Sequence, residues 1–249
     1  MKTKLFTIAM MVALLLADIT RGQAQEYDGP CLPSMHGLDD HQSAFCGSTE
    51  TQTIALVEGW NNISLFIKAD DDPIAMLDML KEGLGDNAEI IEGDEGITSY
   101  EGDGEWFGDL DELGVTNVSS YMILVTNDCS FVLVGEAVNP ADYVITINPG
   151  WNMIGFPSAE ELEITVALSD FEAEIDDIIE SPDGMTMHEG DGEWFGDIET
   201  FVPGQGYLYF SNSDETKTFV FQTEGSKARV KAVSPNKTKK PRLGLNDKQ

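Results

Sequence analysis

The sequence predicts a mainly β protein with minor α, built as two tandem homologous β-rich modules of sandwich or rolled-sheet type, each with one short helix. Short apolar runs with strand-like alternation are bounded by turn residues. The nine residues EGDGEWFGD occur twice, at 101–109 and 189–197. All four tryptophans fall into two matched pairs, 60 with 151 and 106 with 194, which indicates an internal repeat.

Five parts follow one another along the chain. The boundaries that composition and repeat alignment predict are a signal peptide at 1–24, a polar N-terminal extension at 25–51, the first β-rich module at 52–138, the second at 142–223 and a basic tail at 226–249.

Residues 1–24 have the features of a secretory signal. Lys2 and Lys4 precede the apolar run LFTIAMMVALLLA, and the small residues Gly22 and Ala24 precede the predicted cleavage site. The apolar run is too short to span a bilayer. We therefore expect a secreted protein, extracellular or at the cell surface, with no membrane span in the mature chain.

Charge is distributed very unevenly. Residues 25–225 contain three basic residues and 43 acids, a net charge of −40, whereas residues 226–249 contain eight basic residues and one acid, a net charge of +7. The acidic body repels nucleic acid and anionic membranes and attracts cations. Adaptation to saline water and binding of divalent ions both explain the acids. We expect the apolar-poor tail to be disordered, or to dock on the acidic body of its own chain or of a second copy.

The N-terminal extension contains two cysteines. Cys31 and Cys46 flank a short polar segment of an exported chain, which favours a disulfide. The alternative is a zinc site formed by Cys31, His36, His41 and Cys46, although structural zinc ligands usually pair at closer spacing. Cys129 begins a predicted strand, where we expect it to be buried or nearly so.

Each module has the same predicted order of elements. Two short strands meet near Gly-Trp-Asn, in TIALVEGWNNISLFI and in YVITINPGWNMIGF. In the first module, Asp72 is a suitable N-cap and Pro73 a suitable first residue for a helix that ends at Gly83. EITVALSDF predicts a weaker helix in the second. A strand follows, in AEIIEGD or AEIDDIIES, then the repeated nine residues, and then two final strands, YMILVT with SFVLVGE or GYLYFSN with TKTFVFQ.

The repeated nine residues predict a β-hairpin. Asp-Gly is a strong signal for a two-residue turn, because glycine tolerates positive φ. Tyr100 or His188 would precede the turn. Trp106 and Trp194 would follow it and cover one end of each core.

The same nine residues suggest two kinds of binding. Glu101, Asp103 and Glu105 would lie on one side of an extended chain, and calcium takes six to eight oxygen ligands. The loop differs from an EF-hand, since Trp106 stands where that loop needs glycine. The candidate calcium ligands are Glu101, Asp103, Glu105, Asp109, Glu189, Asp191, Glu193 and Asp197. The second hypothesis is a sugar-binding surface on which aromatic rings stack, with Trp106, Phe107, Trp194 and Phe195 as the candidates.

The order of these motifs resembles a known module. GWNxI, a helix, a hairpin with tryptophan and then PGQGY is similar to a tandem module of secreted and surface proteins of bacteria, especially marine ones; FVPGQGYLYF at 201–210 is the most similar segment. The first copy departs from the pattern with LGVTNVSSYMIL. The resemblance implies a β-rich, exported, non-catalytic module, and it supplies no active site.

Enzymatic activity is not expected. Of three histidines, only His188 lies in a module, and no Ser-His-Asp order, Gly-rich phosphate loop or HExxH motif is present. No cofactor is required, and calcium is the candidate ion. We expect a non-enzymatic extracellular structural, surface or adhesion protein that binds a surface polymer or protein, or itself through residues 226–249. The alternatives are a calcium-dependent carbohydrate-binding module and a secreted hydrolase that uses paired carboxylates.

Overall fold

The computed structural model describes residues 49–223. The predicted signal peptide at 1–24, the Cys31–Cys46 disulfide with its zinc alternative, and the basic tail at 226–249 lie outside the described residues. The N-terminal extension is shorter than predicted, because its last three residues belong to the first strand.

The described chain is mainly β, as predicted. Its first eight strands are β1 (Thr49–Leu56), β2 (Gly59–Ile63), β3 (Ile67–Lys68), β4 (Ala88–Glu92), β5 (Ile97–Gly102), β6 (Glu105–Gly108), β7 (Tyr121–Val125) and β8 (Cys129–Ala137). The other nine are β9 (Ile145–Ile147), β10 (Gly150–Ile154), β11 (Leu162–Glu163), β12 (Ile178–Ser181), β13 (Gly184–Gly190), β14 (Glu193–Gly196), β15 (Thr200–Phe201), β16 (Tyr207–Ser211) and β17 (Lys217–Phe219). The α-helices are α1 (Pro73–Leu84), α2 (Leu110–Leu113) and α3 (Ile164–Ala167). Within residues 49–223, none of these helices has the length and apolar character that crossing a membrane requires.

Two five-stranded sheets dominate the fold. The first sheet has the order β2-β7-β4-β5-β6, and the second sheet has the order β10-β16-β12-β13-β14. Every neighbouring pair in them is antiparallel. Three smaller sheets have the orders β1-β8-β3, β17-β9 and β11-β15.

The predicted first helix is present. The Asp72 side chain accepts a 3.0 Å hydrogen bond from the backbone N–H two residues on, and Pro73 is the first helical residue. The helix ends at Leu84 rather than at Gly83, because Gly85 adopts a φ of 53° and closes the last turn.

Other predicted elements need correction. One short helix per module is wrong for residues 49–138, since α2 adds a second one, anchored by buried Leu110. The predicted strand AEIDDIIES begins late, at Ile178, because Asp176 has a φ of 70° and the side chain of Asp177 is bonded to backbone N–H groups. A 3₁₀ turn, Pro140–Asp142, lies where the two predicted modules meet.

The Gly-Trp-Asn motif has a structural explanation. Gly59 enters β2 with a φ of 105°, a conformation that favours glycine. The Asn61 side-chain amide donates to the Val57 carbonyl at 2.8 Å and closes the turn. Asn152 makes the equivalent bond to the Asn148 carbonyl, also at 2.8 Å.

Each five-stranded sheet packs its inner face on a hydrophobic core. One core joins Ile91 and Ile123 of the first sheet to Phe131 of β8 and Leu80 of α1. The other core joins Ile179 and Tyr209 of the second sheet to Phe219 of β17. An aromatic cluster completes it, with Phe156, Phe201 and Phe221 at centroid distances between 5.2 and 5.4 Å.

Matched backbone hydrogen bonds join the two halves. The Ser64 N–H donates to the Gly204 carbonyl at 3.0 Å, and the Gly155 N–H donates to the Val118 carbonyl at 2.9 Å. Ser64 and Gly155 are 91 positions apart, and Val118 and Gly204 are 86 apart, which are the offsets that align the repeat at these points. The same offsets relate two isolated bridges, Ile63 with Gln205 and Ile154 with Ser119.

Candidate functional site

The repeated nine residues form two equivalent hairpins, β5–β6 and β13–β14. The central residues Asp103 and Gly104 have φ values of 54° and 83°, and Asp191 and Gly192 have 53° and 78°. Positive φ at both central positions is the type I′ turn, whose twist matches that of the flanking strands. The predicted Asp-Gly hairpin is confirmed in both copies.

The two tryptophans of the hairpins face inward. Trp106 packs on the first core, with its ring 5.3 Å from that of Tyr100 and 5.8 Å from the Lys81 ammonium. Trp194 packs on the second core, with its ring 5.1 Å from that of His188. The prediction that these rings cover the cores is therefore confirmed, and their inner position separates them from the exposed Phe107 and Phe195.

All eight candidate calcium ligands are solvent-exposed. The premise that Glu101, Asp103 and Glu105 share one side of an extended chain is wrong, because the chain reverses at Asp103. In the part of the chain that the structure describes, no group of three or more His, Cys, Asp or Glu side chains is arranged to hold a metal ion. Calcium binding at the hairpins stays a prediction.

A shallow cleft of about 400 Å³ lies between α1 and the first hairpin. Asp78, Glu82 and Asp86 line it on one side, and Tyr100 and Trp106 line it on the other. The Tyr100 hydroxyl donates to the Asp86 carboxylate, which raises the pKa of Tyr100. The bond between Tyr100 and Asp86 attaches the first hairpin to the residues that follow α1, which gives these side chains of the cleft a structural role.

The outer face of each five-stranded sheet carries a row of mostly apolar side chains. In the first sheet, the residues directly opposite one another across the strands are Trp60, Leu124, Ile90, Ser99 and Phe107. In the second sheet they are Trp151, Phe210, Ile178, Met187 and Phe195. We call these two sets the outer rows.

Both outer rows are accessible. Phe107 is 61% exposed, Phe195 53% and Trp151 38%, and the other members are partly exposed. The Trp151 and Phe210 rings lie 5.2 Å apart. Because neighbouring strands are about 4.8 Å apart, each row of five residues spans roughly 19 Å.

The apolar surface continues on a second line of cross-strand neighbours. Ile97 lies opposite Glu92 on the first sheet, and Met185 lies opposite Glu180 on the second; Ile97 and Met185 are both exposed. Partial burial raises the pKa of Glu92. A carboxylate on this face is therefore less solvated than the acids of the hairpin turns.

The lysines of the described residues are all ion-paired. Lys68 pairs with Asp71, Lys81 with Asp111, and Lys217 with Glu174 at 2.7 Å. Residues 49–223 contain no arginine. Every positively charged side chain in this range thus contacts a carboxylate, and the remaining acids give the surface a strongly negative potential.

His188 is held in place by its surroundings. It is buried, and its Nδ1 lies 2.8 Å from the Glu174 carbonyl oxygen. Its backbone N–H donates to the Asp177 carbonyl at 2.9 Å. These bonds give the ring a structural role in the second hairpin, where Tyr100 occupies the equivalent place in the first.

The sequence alone does not predict a binding role for most members of the outer rows. The sequence predicts stacking for Phe107 and Phe195, whereas for Trp60 and Trp151 it indicates only a repeat. A usable signal was present in YMILV and YLYFS, which are mostly apolar at consecutive positions. Such strands bury one face and leave apolar side chains on the other.

No family model, curated protein sequence or solved structure matches this chain. The resemblance to a tandem module of secreted bacterial proteins stays a hypothesis.

Proposed function

We propose that this chain is a secreted, non-enzymatic extracellular protein, a structural, surface or adhesion component that acts by binding through its outer rows. We also propose that it consists of two tandem copies of one sandwich-like β module, residues 52–138 and 142–223.

Matched details support the two-module proposal. The two five-stranded sheets have corresponding strand orders, and the contacts that join the halves occur in pairs. The buried Tyr121 hydroxyl accepts a 2.7 Å hydrogen bond from the Thr116 N–H, and the buried Tyr207 hydroxyl accepts one of the same length from the Val202 N–H. If the two halves arose by duplication and kept the same packing, equivalent residues are expected to form the same hydrogen bonds.

The observation that carries the binding proposal is the presence of an outer row at the same place on both sheets. Exposed apolar side chains that form a contiguous patch mark interaction sites, whereas isolated ones need no explanation. Each row ends at the phenylalanine of the repeated nine residues and begins at the tryptophan of the Gly-Trp-Asn motif. Leu124 corresponds to Phe210, so that position is apolar in both rows, whereas the polar Ser99 corresponds to the apolar Met187.

The negative charge of the surface limits which kinds of polymer can bind to it. An anionic polymer would be repelled by the unpaired acids, whereas a neutral polymer would not. Exposed aromatic rings in a row suit the apolar faces of successive sugar rings, and nearby carboxylates accept bonds from hydroxyl groups. We therefore propose a neutral β-linked polysaccharide, in an extracellular matrix or on a surface, as the partner.

Binding to insoluble cellulose and chitin tests the proposal. The double variant Phe107→Ala with Phe195→Ala removes the most exposed ring of each row. We expect the affinity for the bound polysaccharide to fall at least tenfold, since the aromatic anchors of a binding surface each contribute more than about 1 kcal/mol. The free energy of unfolding should change by less than about 0.5 kcal/mol per site, because both rings are exposed.

The matched control uses two exposed apolar residues outside the rows. Val132 and Val134 on β8 are each 52% exposed. The double variant Val132→Ala with Val134→Ala should bind as tightly as the unmodified protein. Equal binding by all three proteins, or no binding of any to either polymer, would count against a polysaccharide partner for the rows.

A further inference from the structure

Within residues 49–223, one edge of the second sheet has no further strand beside it. β14 is the outermost strand of that sheet, and three of its four residues are exposed. Glu193 is its first residue, Glu189 precedes the turn and Asp197 follows the strand, and all three are exposed. An edge strand carries backbone N–H and C=O groups ready to pair, and charged residues beside it repel strands of like charge.

Residues 227–233, with the sequence KARVKAV, have the complementary pattern. Lys227, Arg229 and Lys231 alternate with small apolar residues. In an extended conformation this period of two places the three positive charges on one side and the apolar side chains on the other. The acids beside β14 that repel acidic strands would attract this one.

The last described residues of the chain lie against a helix that contacts β14. The Gln222 N–H donates a 2.9 Å hydrogen bond to the Ala167 carbonyl of α3, and α3 contacts β14. Residues 224–226 span about 10 Å when extended. The described chain therefore ends one short connection away from the edge of β14.

We propose that residues 227–233 add to the free edge of β14 in the same molecule, as a sixth strand of the second sheet. Backbone hydrogen bonds to the edge hold the segment, and ion pairs with the surrounding acids select it. The added strand would lie in the plane of the sheet beside Phe195, so the face that carries the second outer row stays accessible. This inference does not depend on the identity of the partner that the rows bind.

Hydrogen exchange of the two hairpins tests the proposal, because their nine residues are identical and have the same intrinsic exchange behaviour. The protein comprising residues 25–249 is compared at low salt with a variant that ends at Gly225. We expect amides of β14 to exchange about tenfold more slowly in the longer chain, with no such difference at β6. Because the ion pairs are screened at high ionic strength, 0.5 M salt should remove most of the difference.

Charge-reversal variants test whether the alternating segment is responsible. The test variant carries Lys227→Glu, Arg229→Glu and Lys231→Glu. The control carries the same number of reversals further along the tail, at Lys237→Glu, Lys239→Glu and Lys240→Glu. The test variant should lose the protection of β14, and the control should retain most of it.

Three results would overturn the proposal. The first is equal exchange at β14 with and without the tail at low salt. The second is an equal loss of protection in both charge-reversal variants, which would indicate unspecific attraction. The third is protection that disappears on dilution, which would assign the docked segment to a second copy.

Discussion

The hydroxyl of Tyr209 donates a 2.6 Å hydrogen bond to the carboxylate of Asp177, and both residues are fully buried. The same carboxylate accepts bonds from the backbone N–H groups of Asn212 at 2.7 Å and Glu174 at 2.9 Å. Burial, with the bond to Asp177 as the next cause, raises the pKa of Tyr209. One buried carboxylate thus ties β16 and the loop after it to the segment that precedes β12.

Removing this carboxylate should destabilise the protein strongly. Asp177→Ala leaves three donors without their acceptor, one of them the fully buried Tyr209 hydroxyl, and we expect a loss of about 3 kcal/mol in the free energy of unfolding. Tyr209→Phe removes one bond to a charged group and should cost about 1.5–3 kcal/mol. Urea unfolding followed by circular dichroism measures both. The control Glu172→Ala, an exposed neighbour, should stay within about 0.5 kcal/mol of the unmodified protein. Similar values for all three variants would show that Asp177 does not organise this region.

The junction between the halves should not tolerate a side chain at Gly155. A Cβ atom there would lie 2.6 Å from the carbonyl oxygens of Asn117 and Ser119. Because both are backbone atoms, Gly155→Ala should cost about 1–3 kcal/mol. Ser64→Ala at the equivalent place removes one hydroxyl bond, to the Gln205 carbonyl at 2.8 Å, and should cost about 1 kcal/mol. Denaturant unfolding compares the two, and a Gly155→Ala variant of undiminished stability would contradict this packing.

Signals that consist of a few consecutive residues were sufficient to predict the start of α1 and the two hairpin turns. Asp72-Pro73 marked the start of α1, and Asp-Gly marked both turns, because each depends on a few consecutive residues. The outer rows depend on the register between distant strands, such as Ile90 opposite Leu124, and a single sequence does not contain that information. The late start of β12 depends on Asp177 bonding across the fold, which alternation alone cannot predict.

The response to divalent ions separates a calcium loop from a hairpin turn. Asp103 and Asp191 occupy the turn positions and are exposed, so we expect calcium and magnesium at equal ionic strength to raise the melting temperature equally. Asp103→Asn with Asp191→Asn preserves the turn and should leave that response unchanged. Thermal melts in chelator, calcium and magnesium measure it. A specific site at 100-fold excess over its Kd would add about 2.7 kcal/mol. A calcium-selective rise that the double variant loses would establish the hairpins as ion sites.

Mild acid should stabilise the protein through Glu92 and Asp94. Burial raises the pKa of both carboxyl groups, and for Asp94 the 2.7 Å bond from the Met153 N–H opposes the effect in part. The folded state therefore holds these protons more tightly than the unfolded state. Stability is lost as the pH rises from the ordinary carboxyl pKa, about 4, through the raised values. Melting temperatures across this range should fall less steeply in Glu92→Gln than in the unmodified protein. An identical pH dependence would contradict the burial of this carboxyl group.

The position of a bound polysaccharide tests the account most directly. Hydroxyl-radical footprinting of the protein on chitin or cellulose, compared with the free protein, reports which side chains the polymer covers. We expect protection of Trp60, Phe107, Trp151 and Phe195, with none at the exposed Val132 and Val134. Protection confined to other surfaces, or labelling of the outer rows that is the same in the bound and free protein, would contradict the central claim that these rows are the binding surface.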